Sequence, residues 1–288
     1  MNAQKQQPES VPVRPLARTA IVYDFDGTLA SGNMQEHSFL PNHVNCTISE
    51  FWDEVGRLKQ THDADQILIY MMEMVRRSRV AGKPISARSL EEHGRSLPYM
   101  PGVREWFQRI DTHATAQGLA LEHYVVSSGN EEIIRGTEIF PNFKKVFGSR
   151  YVYDDQGFAT WPAVVVNYTT KTQFLFRINK GVSNTWEDEP VNRWIPMKDR
   201  PVPFTRMIYV GDGDTDIPSM KMVRHQGGHS VAVFDPQKWE ALKAQPGVYN
   251  LIAENRADFV VPADYREGSQ LDVTIKGILG RIARDATS

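Results

Sequence analysis

The stretch A-I-V-Y-D-F-D-G-T-L at residues 20–29 decides the fold that this sequence predicts. It begins with the apolar run Ala20–Tyr23, whose β-branched and aromatic residues are typical of a buried strand. The run ends at Asp24 and Asp26, and Gly27 follows. Ligands of open α/β sheets bind beyond the carboxyl ends of the strands, so both carboxylates are predicted to face a ligand. The plainer alternative is a strand followed by an acidic turn, because Asp-Gly is a common turn pair.

The two acids also predict a cation. Carboxylates this close repel each other, and they need either a shared proton or a positive ion between them. Mg²⁺ is a hard ion that prefers oxygen ligands, and it suits such a pair. We therefore expect Mg²⁺ near Asp24 and Asp26.

The composition is that of a soluble globular protein and excludes several classes. The chain has 288 residues, of which 41% are apolar and 24% charged, enough for one large domain or two smaller ones. The net charge of −2 argues against a nucleic-acid partner. No apolar run is long enough to cross a membrane. A single cysteine, Cys46, rules out an intrachain disulfide and favours a reducing compartment, so we expect a cytoplasmic protein. Residues 1–18 are predicted to form a disordered polar tail.

The pattern downstream of the first strand is helical. Residues 30–47 are predicted to be a loop, because Gly32 and Pro41 interrupt them. Two amphipathic helices are predicted between Ser49 and Ala81, and a third over 86–96. No strand is predicted between about 30 and 100. The first strand is thus followed by a helical insert at residues 32–98.

Beyond the insert, strands alternate with helices. This alternation predicts an α/β fold with a Rossmann-like parallel sheet and helices on both faces. A hairpin is predicted around Asp154–Gly157, whereas the segment 182–205 has no predicted structure. The predicted sheet strands are 121–126, 207–210, 231–234 and 258–261, and a final helix covers 269–284.

Polar residues end two of these strands as well. Ser127–Gly129 follow the second strand and precede a helix, whose N-terminal N–H groups suit an anion such as a phosphate. The acids of G-D-G-D-T-D, residues 211–216, follow the third strand, and their spacing leaves open which of them would be ligands. Parallel strands end at the same edge of a sheet, so all three groups are predicted to converge.

One lysine is expected to join this group. Lys171 falls in the first turn of a predicted helix, where it could neutralise a phosphoryl group and its acids. Lys180 competes for the role, but it lies near the far end of the same helix.

Four motifs in this order resemble those of the haloacid dehalogenase-like hydrolases. They are D-F-D-G-T at 24–28, V-V-S-S-G at 125–129, T-T-K-T-Q around Lys171, and G-D-G-D-T-D at 211–216. The resemblance covers about residues 19–285, and the helical insert is similar to the type 1 cap of the phosphoserine-phosphatase-like branch. It implies a tail at 1–18, an α/β core at 19–31 and 99–288, and a cap at 32–98.

The resemblance implies a role for each motif residue. Asp24 would be the nucleophile, and Asp26 the general acid and then the base. The Mg²⁺ ligands would be Asp24, Asp212 and Asp26 through its backbone carbonyl, with Asp216 supporting the ion indirectly. The phosphoryl group would be bound by Ser127, Ser128, Gly129 and Lys171.

The implied function is hydrolysis of a small phosphorylated metabolite by a Mg²⁺-dependent phosphatase, through an aspartyl-phosphate. The alternatives are phosphotransfer to another acceptor, dehalogenation, or a catalytically inactive binding protein of the same fold. Dehalogenation produces no alkoxide that needs a proton, so Asp26 would have no role as an acid. The substrate itself is left open. Glu36 follows the first motif later than the glutamate that holds phosphoserine in that branch, and the arginines among residues 76–79 have no unique partner. No feature of the sequence sets an oligomeric state.

Overall fold

A computed structural model describes residues 16–237 and 245–287, apart from the side chains of Asp214, Gln245, Pro246 and Thr287. The predicted disordered tail lies, up to residue 15, outside the described residues. Its last two residues, Ala17 and Arg18, already belong to the first strand, which therefore begins earlier than predicted. No helix in the described part of the chain is both long and apolar enough to cross a membrane.

The chain alternates between strands and helices after a helical excursion, as the sequence predicts. The strands are β1 Ala17–Tyr23, β2 Leu119–Asn130, β3 Lys145–Tyr153, β4 Ala159–Val164, β5 Met207–Gly211, β6 His229–Phe234 and β7 Phe259–Pro262. The α-helices are α1 Leu40–His43, α2 Ile48–His62, α3 Gln66–Val80, α4 Ala87–Gly94, α5 Val103–Ala116, α6 Glu131–Arg135, α7 Lys171–Lys180, α8 Asp188–Asn192, α9 Ile217–His225, α10 Gln245–Ala253 and α11 Gln270–Thr287.

One sheet joins all seven strands in the order β4-β3-β2-β1-β5-β6-β7. Every neighbouring pair is parallel except β3 and β4, which form the predicted antiparallel hairpin. In the centre, Tyr23 pairs with Val125 of β2 on one side and with Val210 of β5 on the other. The carboxyl ends of these three strands therefore lie side by side.

Both faces of the sheet are covered by helices, because β1 is apolar on both sides. Ile21 and Tyr23 belong to a core that includes Trp106 of α5 and Leu271 of α11. The alternate residues Ala20 and Val22 belong to a second core, with Phe174 of α7 and Met220 of α9. Strands buried on both faces are typical of parallel sheets between helical layers. The predicted Rossmann-like α/β fold is confirmed.

The predicted cap, residues 32–98, contains α1–α4 and no strand, and all its residues are described. The predicted loop at its start was wrong in part, since Gln35–Phe39 form a π-helical turn that continues into α1. Gln35, Phe39 and Leu40 are buried there, so tertiary packing overrides the breakers Gly32 and Pro41. The first long helix is capped by Thr47, and Glu50 completes a capping box.

The β3–β4 hairpin contacts the cap. Ala159 N donates to Ile85 O at 2.8 Å, and the Arg79 guanidinium donates to Ala159 O at 3.0 Å. On the other strand, Tyr151 Oη donates to Met71 O at 3.0 Å. The cap is thus held both by its chain connections and by this hairpin.

The segment between α7 and β5, which the sequence left without structure, contains α8 and two short 3₁₀ turns. It is fastened by polar side chains of α7. Asn179 Nδ2 donates to Val202 O at 2.8 Å, and Arg177 donates to backbone carbonyls at residues 184, 185 and 187.

Candidate active site

The three strand ends that the sequence singled out meet at one edge of the sheet. Asp24 directly follows β1, and its backbone N–H donates to Val210 O of β5 at 2.8 Å. Ser127 lies near the end of β2, and Asp212 directly follows β5. The predicted convergence is therefore what the structure shows.

Lys171 joins this group from the side. It is the first residue of α7 and is fully buried. Its Nζ donates to Asp216 Oδ1 at 2.6 Å and lies 3.0 Å from Asp24 Oδ1. The helix begins here because the side chain of Asn167 accepts from the N–H groups of Thr169 and Thr170. Those two bonds satisfy donors that would otherwise be free at the helix start.

Lys180, the competing lysine, lies at the other end of α7. Its Nζ donates to Arg193 O at 2.7 Å and to Val191 O. The geometry therefore favours Lys171 over Lys180 for a place beside the acids.

Three acids stand close enough to share one cation. Carboxylate oxygens of Asp24, Asp212 and Asp216 all lie within 4.8 Å of one another. Burial and the charge of Asp216 raise the pKa of Asp24 from 3.8 to about 6. Burial and the charge of Asp24 likewise raise the pKa of Asp212 well above its ordinary value. Lys171 lowers the pKa of both Asp24 and Asp212 without cancelling these increases, so the group is short of positive charge.

The donor set fits Mg²⁺, which prefers oxygen ligands. Two further observations agree. Tyr265 Oη is fully buried beside these acids and has no hydrogen-bond partner among the described residues. An unpaired buried hydroxyl is rare in a folded protein and is commonly explained by an unseen water or ion. Gly27, with φ of +71°, has no Cβ that would overlap Asp212 Oδ2, so the turn leaves room for that carboxylate.

Asp26 stands apart from these three acids. Its Oδ1 accepts a hydrogen bond from Met34 N at 2.9 Å. Burial, followed by the charge of Asp24, raises the pKa of Asp26 well above its ordinary value. Its side chain is therefore protonated more readily than a free aspartate, as a general acid requires.

The predicted phosphate loop, Ser127–Gly129, lies at the carboxyl end of β2, at the same edge of the sheet. Ser127 Oγ accepts from Gly129 N at 3.0 Å, and the pairing of β2 with β3 is irregular between Val126 and Asn130. A Cβ on Gly129 would overlap Met34 Cε and come within 3.2 Å of Asp26 Oδ2, so the Met34 side chain would have to shift to admit one. Ser127, Ser128 and Gly129 all line the open space above the acids.

That space is a cleft of ≈ 680 Å³ between the core and the predicted cap. No lysine, arginine or histidine lines it among the residues that the structure describes. Glu36 is in the cleft, where its Oε1 accepts from Trp52 Nε1 and Asn33 Nδ2, each at 2.7 Å. The arginines predicted without a partner are elsewhere: Arg76 and Arg77 pair with the buried Glu73. The cap side of the cleft is formed by Asn33, Gln35, Glu36, Trp52, Asp65, Gln66, Ile67 and Tyr70.

The sequence did not point to three tyrosines at this site. Tyr209 of β5 donates to Asp216 Oδ1 at 2.6 Å and holds the acid that Lys171 contacts. Tyr70 of the cap donates to Ser128 O at 2.7 Å and links α3 to the phosphate loop. Tyr265 lies in the loop after β7. Their only sequence signal is hydrophobic periodicity, which places them in the core and says nothing of the hydroxyl.

Comparisons with known proteins agree with the motifs. Residues 21–221 match the haloacid dehalogenase-like hydrolase family. An uncharacterised protein of Borreliella burgdorferi is 26% identical over 279 residues, which are 88% of this chain and 93% of that protein. A haloacid dehalogenase family hydrolase from Salmonella enterica serovar Typhi has a similar fold, with a TM-score of 0.56 and 13% identity over 92% of this chain and 72% of that one. A substrate-bound phosphoserine phosphatase has a TM-score of 0.51 and 16% identity, over 90% of this chain and 98% of that one. The resemblance that the four motifs indicated is therefore confirmed.

Proposed function

This chain belongs to the haloacid dehalogenase-like hydrolases, and we propose that it is a phosphatase that hydrolyses a small phosphomonoester through an aspartyl-phosphate on Asp24. One observation carries the proposal. A buried lysine stands between Asp24 and Asp216, at the edge where the phosphate loop and Asp26 also face the cleft. A nucleophile, an acid and an anion-binding loop at one edge are what phosphoryl transfer needs.

The first half-reaction forms the covalent bond. Asp24 attacks phosphorus with a carboxylate oxygen, and the bond from phosphorus to the ester oxygen breaks. Asp26 gives its proton to that leaving oxygen, which departs as an alcohol. Its raised pKa favours the protonated form that this step consumes.

The second half-reaction restores the enzyme. Asp26, now ionised, takes a proton from water as the water oxygen attacks phosphorus. The bond between phosphorus and Asp24 then breaks, inorganic phosphate leaves, and both aspartates return to their starting states. Throughout, Lys171 sets a positive charge beside Asp24, and the Ser127 hydroxyl would donate to a phosphoryl oxygen.

Asp24, Asp212 and the backbone carbonyl of Asp26 would hold Mg²⁺, with Asp216 kept in place by Lys171 and Tyr209. When bound, the ion supplies positive charge next to the phosphoryl oxygens. Asp26 argues against dehalogenation, which leaves no alkoxide to protonate. Transfer to another acceptor differs only in what replaces water.

The test is hydrolysis of p-nitrophenyl phosphate with and without Mg²⁺. We expect turnover that needs the metal, and a loss of at least about a thousandfold in Asp24→Asn, because an amide cannot form the covalent intermediate. Asp155→Asn, which changes an exposed aspartate of the hairpin turn, is the matched control and should leave turnover unchanged.

Near-normal turnover by Asp24→Asn would show that Asp24 is not the nucleophile. Asp26→Asn should slow turnover of this substrate less than turnover of an alkyl phosphate, because nitrophenolate leaves without a proton.

A further inference from the structure

A second cavity, of ≈ 210 Å³, lies at the amino ends of the central strands, opposite the cleft. Arg18 near the start of β1 and Lys144 just before β3 line it from the sheet. Arg177 and Lys180 line it from the last turns of α7. We call this cavity the basic pocket. No acidic side chain lines it in the part of the chain that the structure describes.

The acids nearest to these cations leave an excess of positive charge. Glu122 accepts from Arg18 Nε at 2.9 Å and from Lys144 Nζ at 2.5 Å. Asp188, the acid paired with Arg177, is 3.8 Å away and its side chain is 85% exposed, so water screens it. Lys180 bonds only to backbone carbonyls among the described residues.

Arg177 makes this excess costly. The residue is 4% exposed, and its two terminal nitrogens donate to three backbone carbonyls, those of Asn184, Thr185 and Glu187. Carbonyls satisfy its hydrogen bonds but carry no counter-charge. Its Nε has no hydrogen-bond partner among the described residues. A buried charge without a close counter-ion is unfavourable and is normally paired.

The positive potential extends to neighbouring residues. Burial, and then the charge of Arg18, lower the pKa of Arg206. The pocket also offers the hydroxyl of Ser183 beside its cations, whereas the Tyr124 hydroxyl already donates to Glu122 at 2.7 Å. Guanidinium and ammonium groups next to hydroxyls are the donors that bind phosphate oxygens in proteins.

We propose that the basic pocket binds a small polyvalent anion of the phosphate class. The ligand would supply the negative charge that Arg177 and Lys180 lack. It would also fasten the last turn of α7 to the segment that follows it. The inference stands on the charges of this pocket and is independent of the proposed phosphatase activity.

The experiment is calorimetric titration of metal-free protein with pyrophosphate at low salt. Lys144→Gln and Lys180→Gln each remove one cation from the rim, and each should weaken binding at least about tenfold, as expected for loss of a charge-assisted contact. Arg57→Gln is the matched control. It removes one positive charge from an exposed helical arginine, which pairs with Glu54 as Lys144 pairs with Glu122. The binding constant should stay within twofold of the wild-type value.

Ser127→Ala separates this pocket from the cleft and should leave the binding constant unchanged. The proposal is overturned if wild-type protein binds no pyrophosphate, or if Ser127→Ala abolishes binding that Lys180→Gln retains. It is equally overturned if Arg57→Gln weakens binding as much as Lys180→Gln, since binding would then reflect net charge alone. Circular dichroism and thermal unfolding establish that both pocket variants are folded.

Discussion

The two ends of the central sheet carry opposite charge, and at each end one charge of the other sign contacts two of its neighbours. At the carboxyl ends, Lys171 contacts Asp24 and Asp216, and its charge also acts on Asp26 and Asp212. At the amino ends, four cations line the basic pocket, and Glu122 contacts two of them. The same helix serves both ends, since α7 begins with Lys171 and ends with Lys180.

The difference lies in how well the single opposite charge compensates its neighbours. Burial raises the pKa of Glu122, but hydrogen bonds from Arg18, Lys144 and Tyr124 outweigh burial and leave that pKa lowered. For Asp24, burial and the charge of Asp216 outweigh Lys171 and leave the pKa raised. The carboxyl end therefore carries an uncompensated excess of negative charge, whereas the amino end is partly neutralised.

The largest expected effect is a difference in the free energy of unfolding between variants of the two lysines of α7. Lys171→Met leaves Asp24 and Asp216 buried without a cation and should lower the free energy of unfolding by about 3–5 kcal/mol. Lys180→Met loses bonds to carbonyls that water can replace, and should cost about 1 kcal/mol. Urea unfolding of both metal-free variants measures the difference. Mg²⁺ should restore part of the loss in Lys171→Met only, and equal losses in the two variants would contradict the comparison.

A smaller effect concerns pH. The pKa of Asp24 is raised from 3.8 to about 6, so the folded metal-free protein holds a proton that the unfolded chain releases. Stability from this proton is complete below about pH 4 and is lost as the pH rises through about 6, by roughly 1–3 kcal/mol. The raised pKa values of Asp26 and Asp212 act in the same direction.

Urea midpoints of metal-free protein at several pH values test this. Asp24→Asn should flatten the decline, because the amide does not titrate. Saturating Mg²⁺ should oppose the decline, because a cation favours the ionised carboxylates. A midpoint that rises steadily between pH 4 and 6 in metal-free protein would refute the expected sign.

The smallest effect is expected when the hydroxyl oxygen of Tyr265 is removed. Tyr265→Phe removes a hydroxyl that has no partner among the described residues, so metal-free stability should stay the same or rise slightly. If the hydroxyl supports the bound ion or its water, Mg²⁺ affinity should fall about tenfold. Calorimetric titration with Mg²⁺ measures the affinity.

Tyr23→Phe is the control for this variant. Tyr23 is equally buried, but its hydroxyl bonds to Trp106 and His123, so its loss should lower stability and leave Mg²⁺ affinity unchanged. A loss of metal-free stability in Tyr265→Phe would mean that this hydroxyl already has a protein partner.

The strand ends could be predicted because each is marked by residues that are neighbours in the sequence. Asp24 and Ser127 follow apolar runs directly, and parallel strands bring such ends together. Lys171 could be preferred to Lys180 from its place in the helix. The place of Tyr265 and Tyr209 in the site could not be predicted in this way. Each lies in a hydrophobic segment, and its role depends on the direction in which its hydroxyl points. That depends on packing between elements distant in the chain.

Two further features were hidden for the same reason. The turn at Gln35–Phe39 forms against the breakers around it because its residues are buried by the fold. The segment after α7 takes its course from Arg177, whose guanidinium holds three of its carbonyls. Neither contact leaves a periodic pattern in the sequence.

The contacts between the β3–β4 hairpin and the helical layer above the cleft restrict how the cleft can open. Hydrogen bonds through Ala159, Arg79 and Tyr151 join them, and each contributes about 1 kcal/mol to holding the layer against the hairpin. Movement of the layer away from the hairpin would break these bonds, whereas movement of the layer together with the hairpin would keep them.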